Sequence, residues 1–265
     1  MKHFLKKARC LWLPTVMLLL LAACGKDKSI TDPKDDEPDP VTGVKTGVYE
    51  QVNLAADINA TSAQDAKTLY FSLEENKVID ESQKFTTKWD IAFGGIYNSS
   101  ILINNGKSSI SPGYGGAGIG AVYLVVDRKF DAQYYDTTNF YVKTLPIPVH
   151  LFDASFNAVK TAPDDSKMKT HALISLDHFQ STDDGWAYYD FYGMLFPGNP
   201  KKSHVVYTMP RTFVVKTAKG KYAKICIQSI YKDKPENPDR DSKPGYLTFK
   251  YAIQKDGSKN LDIQP

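Results

Sequence analysis

Apolar and polar residues alternate along much of this chain with a period of two, the pattern of strands that bury one face. The clearest case lies near the C-terminal end, where Leu247, Phe249, Tyr251 and Ile253 alternate with Thr248, Lys250 and Ala252. A strand with one apolar and one mixed face is expected there. Upstream, residues 211–216 and 222–231 are rich in β-branched and aromatic side chains, and Thr217-Ala-Lys-Gly-Lys221 joins them, which predicts a hairpin. Residues 68–73, 88–93 and 100–103 are further strand candidates, the last stopping at the turn signal Asn104-Asn-Gly106. Residues 121–126 form a continuous apolar run. Helical signal is scarce: residues 151–159 suit two turns ending before Pro163, and residues 62–66 suit one. Residues 232–244, crowded with Pro, Asp and Lys, should form an exposed loop. There is no internal repeat and no second-domain boundary. The pattern predicts one all-β domain over residues 42–265, built mainly of antiparallel sheets with one or two short helices.

A different pattern opens the chain. Lys2, Lys6, Lys7 and Arg9 precede an apolar run over residues 11–23, too short to anchor stably across a bilayer. It ends Leu21-Ala-Ala-Cys24, a small-residue pair followed directly by Cys, which is the pattern a lipoprotein signal peptidase cuts. Residues 1–23 are therefore expected to be a lipoprotein signal peptide, and Cys24 the acylated (palmitate-bearing) first residue of the mature chain. Residues 24–41 alternate prolines with acids and hold almost nothing apolar, so they read as a flexible acidic tether. The Lys26-Asp-Lys28 stretch after Cys24 resembles the surface-export signal of Bacteroidetes lipoproteins. Together these features predict a lipid-anchored outer-membrane protein displayed at the cell surface, touching the membrane through its lipid alone.

Removing the leader changes the charge. The whole chain holds 33 basic and 30 acidic residues, a formal net of +3, but four of the basic residues lie in the leader. The mature chain has 29 against 30, a net of −1. With no basic stripe interleaved with aromatics, nucleic acid is excluded as a partner. Cysteine usage narrows the chemistry further. Cys10 leaves with the leader and Cys24 carries lipid, so Cys226 stands alone and no internal disulfide or cysteine cluster can form. Its place in an alternating apolar run reads as a small buried hydrophobe.

No catalytic motif survives inspection. Gly113-Tyr-Gly-Gly-Ala-Gly118 matches G-x-G-x-x-G, but a dinucleotide site needs that loop to open a helix, and here it leads into the β-branched run at 121–126. A glycine-rich turn is the better account. Gly106-Lys-Ser108 lacks the earlier glycine of a phosphate-binding loop, and neither G-x-S-x-G nor H-E-x-x-H occurs. The pairs Asp164-Asp165 and Asp183-Asp184 flank Pro163 and Gly185 and read as solvated turns rather than glycosidase carboxylates. Nothing in the sequence resembles an active site, and an enzyme is not expected.

Residues 88–106 with their Trp89-Asp-Ile-Ala-Phe93 core, the hairpin that starts at Met209-Pro-Arg211, and Gly245-Tyr-Leu-Thr-Phe-Lys-Tyr251 together resemble the HmuY family of haem-binding surface lipoproteins. Lys88-Trp-Asp-Ile-Ala-Phe-Gly-Gly-Ile-Tyr-Asn-Ser-Ser-Ile-Leu-Ile-Asn-Asn-Gly106 is similar to the family's central signature. Met209-Pro-Arg-Thr-Phe-Val-Val-Lys216, with the turn and strand that follow, resembles its C-terminal hairpin, and Gly245-Tyr-Leu-Thr-Phe-Lys-Tyr251 its closing strand. The resemblance implies an all-β HmuY-like fold, a lipid anchor, and capture of haem or a related porphyrin for a TonB-dependent outer-membrane receptor. It also implies an iron held between two axial ligands, histidine or methionine, with apolar walls on the macrocycle.

Outside the leader the chain offers His150, His171, His178 and His204, with Met168, Met194 and Met209. Taking Gly185-Trp186 as the family's Gly-Trp motif, His178 is the nearest candidate for the first ligand. His204, with Met194 as the alternative, is the candidate for the second. Both neighbourhoods depart from the family pattern, at Asp177-His-Phe-Gln180 and at Phe196-Pro-Gly-Asn-Pro-Lys-Lys202. The aromatic run at 186–192 has two readings. As a strand, it places Trp186, Tyr188 and Tyr192 on one face, a candidate porphyrin wall; equally, those rings make a good core. Two functions stay open: haem or porphyrin capture, and a HmuY-fold lipoprotein that instead binds another tetrapyrrole, a glycan or a partner protein.

Overall fold

The alternating segments pair into two five-stranded antiparallel sheets. In the first the order is β1 (Gly47–Ala55), β14 (Pro244–Gln254), β13 (Tyr222–Tyr231), β12 (Thr212–Lys216) and β6 (Ala121–Leu124). The second runs β3 (Lys77–Ile79), β2 (Leu69–Ser72), β4 (Ile91–Gly94), β5 (Ser100–Ile103) and β9 (Leu173–Ile174). Among the described residues two further strand pairs form: β7 (Tyr135–Asp136) with β8 (Tyr141–Val142), and β10 (Ala187–Asp190) with β11 (Val205–Thr208). The helices are short, α1 (Arg128–Asp131) and α2 (His150–Ala158). The computed structural model describes residues 43–60, 62, 65–171, 173–174 and 184–264; the leader, Cys24, the tether and His178 lie outside the described residues.

The alternation in β14 sets the layering. Leu247, Phe249, Tyr251 and Ile253 enter a core shared with Phe213, Ile225 and Ile227 of the same sheet and with Phe71, Ile91, Phe93 and Ile101 of the other. Each such side chain contributes roughly 1.5–3 kcal/mol on burial. Phe71 meets Phe249 edge-on, with ring centroids 5.4 Å apart. The outer face of the first sheet is covered too, by Leu151, Phe152 and Phe156 of α2 together with Val205 and Tyr207, against Cys226 and Ala252. That double cover is why β13 is buried along nearly its whole length. Within it, burial pushes the Cys226 thiol up to about 12, which keeps it a neutral packing group. Burial also lowers the Lys224 ammonium to about 8; its Nζ donates to Val159 O at 2.8 Å and lies 4.5 Å from the Phe156 ring centre.

Asp90, immediately before β4, ties the two sheets together. It is buried, and its Oδ2 accepts from the backbone N–H of Leu73 at 2.8 Å and of Glu74 at 3.3 Å, both in the second sheet's turn. Its Oδ1 accepts from Ala218 N at 3.0 Å, in the β12–β13 hairpin of the first sheet. Beside it, Trp89 is buried and its indole N–H donates to Lys84 O.

Two local outcomes depart from simple pattern reading. Asn104-Asn-Gly106 does not turn directly into the next strand. Asn104 and Asn105 are buried, and their amides donate to Thr86 O, Trp89 O and Gly120 O, so they hold the glycine-rich loop against the sheet. A Cβ on Gly118 would collide with Asn104 side-chain and backbone oxygens, whereas Gly115 has open space and only a left-handed φ of +85°. We therefore expect Gly118→Ala to cost about 1–3 kcal/mol in chemical denaturation, from overpacking. Gly115→Ala should cost no more than about 1–2 kcal/mol, from backbone strain alone. The second departure is β1, an edge strand that pattern reading passes over. Both of its faces mix apolar with polar residues, and a bulge with Asn53 at φ +52° breaks its register against β14.

Candidate functional site

The β10–β11 pair sets Tyr188 opposite Tyr207 and Asp190 opposite Val205. Its entry is fixed by Arg211, which is 1% exposed on its side chain. The Arg211 Nη1 donates to Gly185 O at 2.8 Å, while Nε and Nη2 donate to Asp131 Oδ2 at 3.2 and 2.8 Å. Its guanidinium lies 5.2 Å from the Tyr135 ring centre, and the Tyr134 hydroxyl donates to the other oxygen of Asp131.

Asp190 closes the other end. Buried, it accepts from Met194 N at 2.8 Å and Leu195 N at 3.0 Å, which turns the chain at the end of β10. The returning segment is clasped to the same residue, since His204 N donates to Asp190 O at 2.8 Å. Lys202 pins the middle of this loop: its Nζ donates to Asn237 O, Asn237 Oδ1 and Pro238 O at 3.0, 2.7 and 2.7 Å. The connection over residues 232–243 is thus irregular, as its composition predicts, yet anchored.

His204 sits at the exit of this loop, exposed, with a left-handed φ of +58°. Its Nδ1 shares a hydrogen bond with the Tyr189 hydroxyl at 2.8 Å, and its ring meets Phe191 edge-on at 4.4 Å. Phe191 in turn packs against Tyr192 at 4.8 Å and Tyr189 at 5.9 Å. Burial raises the Tyr189 phenol above its ordinary range, so it stays protonated at neutral pH. With Nδ1 taken by Tyr189, Nε2 is the nitrogen that can meet an incoming group. Tyr192 is 63% exposed and Met194 70%.

The three wall candidates do not share one surface. Trp186 precedes β10, is 1% exposed and enters the inter-sheet core, its indole N–H donating to Ser99 O at 3.0 Å. Tyr188 is buried in the cluster under α2, and only Tyr192 is exposed. Strand alternation holds only between Ala187 and Asp190; the chain turns after that, so counting by twos misplaces Tyr192. Tyr189 and Phe191, which alternation assigns to the opposite face, are the rings that meet His204. The hairpin register brings them together, and no local motif announces it. Of the remaining described donors, His150 and His171 are exposed elsewhere, and Met168 and Met209 are buried in core clusters.

A model of the family described as HmuY protein matches residues 64–251. The chain belongs to the HmuY family. Among curated proteins none matches. The chain is similar in structure to a HmuY-like protein of Bacteroides vulgatus ATCC 8482, at 14% identity and TM-score 0.37, covering 80% of this chain and 97% of that one. The apo HmuY analogue of Tannerella forsythia is similar at 15% identity and TM-score 0.38, covering 80% and 98%. Apo PinO from Porphyromonas gingivitis is similar at 14% identity and TM-score 0.33, covering 80% and 98%.

In this HmuY-family chain the signature around Trp89-Asp-Ile-Ala-Phe93 makes the clasp between the sheets, not the surface around His204. The donor set at that surface suits a metalloporphyrin better than a bare ion. Among the described residues, no three of His, Cys, Asp and Glu gather as a metal cage. Haem iron brings four ligands of its own and needs only axial donors and flat apolar contact from the protein. An oriented imidazole beside Phe191 and Tyr192 fits that need.

Proposed function

We propose that this chain is a lipid-anchored outer-membrane protein that binds haem or a related porphyrin at the cell surface and passes it to a TonB-dependent receptor. One observation carries the reading: the exposed imidazole of His204, oriented by Tyr189 at 2.8 Å and packed on Phe191 at 4.4 Å. An axial ligand must be a neutral imidazole held in one orientation, with its second nitrogen donating to a fixed acceptor. In that role the Nδ1–H of His204 donates to the Tyr189 oxygen, which leaves the Nε2 lone pair facing outward. His178 is the candidate for the opposite side, Met194 is the alternative to His204, and the exposed ring of Tyr192 supplies apolar surface. Haem, when bound, supplies an iron with open axial positions; the protein's part is to bind, orient and release it. Capture and release break no covalent bond, so a non-enzymatic role follows. The lipid on Cys24 and the acidic tether would hold the domain off the membrane, within reach of a receptor.

A haem titration followed by absorbance tests this reading. The wild-type chain should give a shifted Soret band with defined Q bands. His204→Gly suits φ +58° without strain, so it should keep the fold, change the spectrum and weaken binding at least about tenfold. Tyr189→Phe should weaken binding by about the same factor, through lost orientation of the ring. A spectrum untouched by His204→Gly, and by changing His178 and His204 together to Ala, would sink the ligand assignment. Another tetrapyrrole, a glycan or a partner protein would then be the cargo to seek.

A further inference from the structure

The loop that returns to His204 is fastened to the connection between β13 and β14 at several points. Lys202 Nζ is engaged by Asn237 and Pro238, and Arg240 N donates to Lys201 O at 2.9 Å. Lys201 Nζ pairs with Asp241 at 2.5 Å, and Asp239 Oδ1 accepts from the backbone N–H groups of Asp241 and Ser242 at 2.9 and 3.2 Å. Both acids that flank Arg240 in sequence are thus held by other groups. Arg240 itself is exposed. Among the described residues its guanidinium has one hydrogen-bond partner and no carboxylate: Nη1 lies 3.5 Å from Ser203 Oγ.

That contact places the charge. Ser203 immediately precedes His204, so the guanidinium stands next to the turn that presents the imidazole. The phenol that orients His204 feels it as well: burial raises Tyr189, and the Arg240 charge opposes that rise. A contact at 3.5 Å is at the outer limit of a hydrogen bond, so leaving Ser203 for an anion gives up little. Arginine also offers a planar fork of N–H donors that meets a carboxylate through two parallel bonds. Haem carries such groups. Its propionates are ionised at neutral pH and hang from one edge of the macrocycle, beside whatever surface meets its face. The mature chain has a net charge of −1, so an anion is drawn to this face by a local cation rather than by the protein's overall field.

We propose that Arg240 receives a propionate of the porphyrin held at His204, which makes the ligand class a metalloporphyrin with free carboxylates. This rests on the haem reading of the His204 surface. Haemin and its dimethyl ester, which masks both carboxylates, test it when each is titrated into the full chain in the same detergent and followed at the Soret band. Wild type should bind haemin about fivefold tighter than the ester, the discrimination expected of one exposed ion pair. Raising the salt concentration should narrow that preference. Arg240→Gln should bring haemin down to the ester's affinity and leave the ester's affinity and both Soret positions unchanged, because axial ligation is not touched. Arg240→Lys should restore part of the preference. The thermal midpoint of Arg240→Gln should match wild type, since the side chain is exposed and loosely held. Shifted Soret bands with equal affinities for the two compounds, or a preference that survives Arg240→Gln, overturn the role of Arg240 alone. No Soret shift with either compound overturns the haem reading and this role with it.

Discussion

Asp90→Ala is expected to lower the thermal midpoint by about 10 °C, corresponding to about 3–5 kcal/mol for a domain of this size. The carboxylate accepts three backbone N–H groups, two in the second sheet's turn and one in the first sheet's hairpin, and alanine leaves all three buried without a partner. Asp90→Asn separates loss of acceptors from loss of volume. Whichever way its amide turns, an NH₂ faces at least one of those N–H groups, so about 1–3 kcal/mol should be lost. An asparagine variant as stable as wild type at pH 5.5 would mean that Asp90 does not clasp the sheets.

The same residue gives a pH signature. Burial first, and the neighbouring Glu74 carboxylate second, raise Asp90 from 3.8 to about 7. Between those values the native state holds a proton that the unfolded chain has released, so raising the pH favours unfolding. The contribution of Asp90 is therefore complete below about pH 4, falls as pH rises toward 7 and levels off above it. Denaturant titrations between pH 4 and 8.5 should show this limb in wild type and lose it in Asp90→Asn.

Arg211→Ala is expected to cost a further large sum, about 3–5 kcal/mol, because it leaves the buried Asp131 carboxylate with only the Tyr134 hydroxyl and, at 4.0 Å, the Arg128 guanidinium. Asp131→Ala alone should be of similar size, and the double variant no worse than either single one, a coupling of more than about 2 kcal/mol in a double-mutant cycle. Function should follow stability here. Arg211 holds Gly185 O at the entry of β10, the strand that carries Tyr189 to His204. Haem affinity of Arg211→Ala should therefore fall even at temperatures where the variant is fully folded. Strictly additive single and double variants would argue against a coupled pair.

Much of the sheet architecture can be read directly from residue order. The period-two alternation at residues 247–253, the hairpin over 211–231 and the strand at 100–103 appear as β14, the β12–β13 pair and β5. Alternation reports which side of a strand meets a core, and that is a local property. The edge strand β1 and the short β11 escape the same reading. One mixes apolar with polar residues on both faces, and the other lies in no segment whose pattern reads as a strand.

The site around His204 was half legible. Histidine and methionine are rare enough here that His178, His204 and Met194 can be named from composition and family resemblance. Their surroundings cannot be named that way. Tyr189 and Phe191 meet His204 because Asp190 turns the chain at the end of β10 and the hairpin brings residue 204 back beside it, 15 positions from Tyr189.

By itself, then, the order of residues determined the all-β class, the family and the expectation of a lipid anchor at Cys24, because each depends on short-range periodicity or a contiguous motif. Tertiary structure alone decided which polar groups are buried and what faces them. Asp90 clasps two sheets, Arg211 pairs with Asp131 across 80 residues, and among the described residues the Tyr207 hydroxyl is buried without a partner. Such pairings join segments distant in sequence, and their energy comes from removing water around both partners at once, which no single stretch of chain can encode.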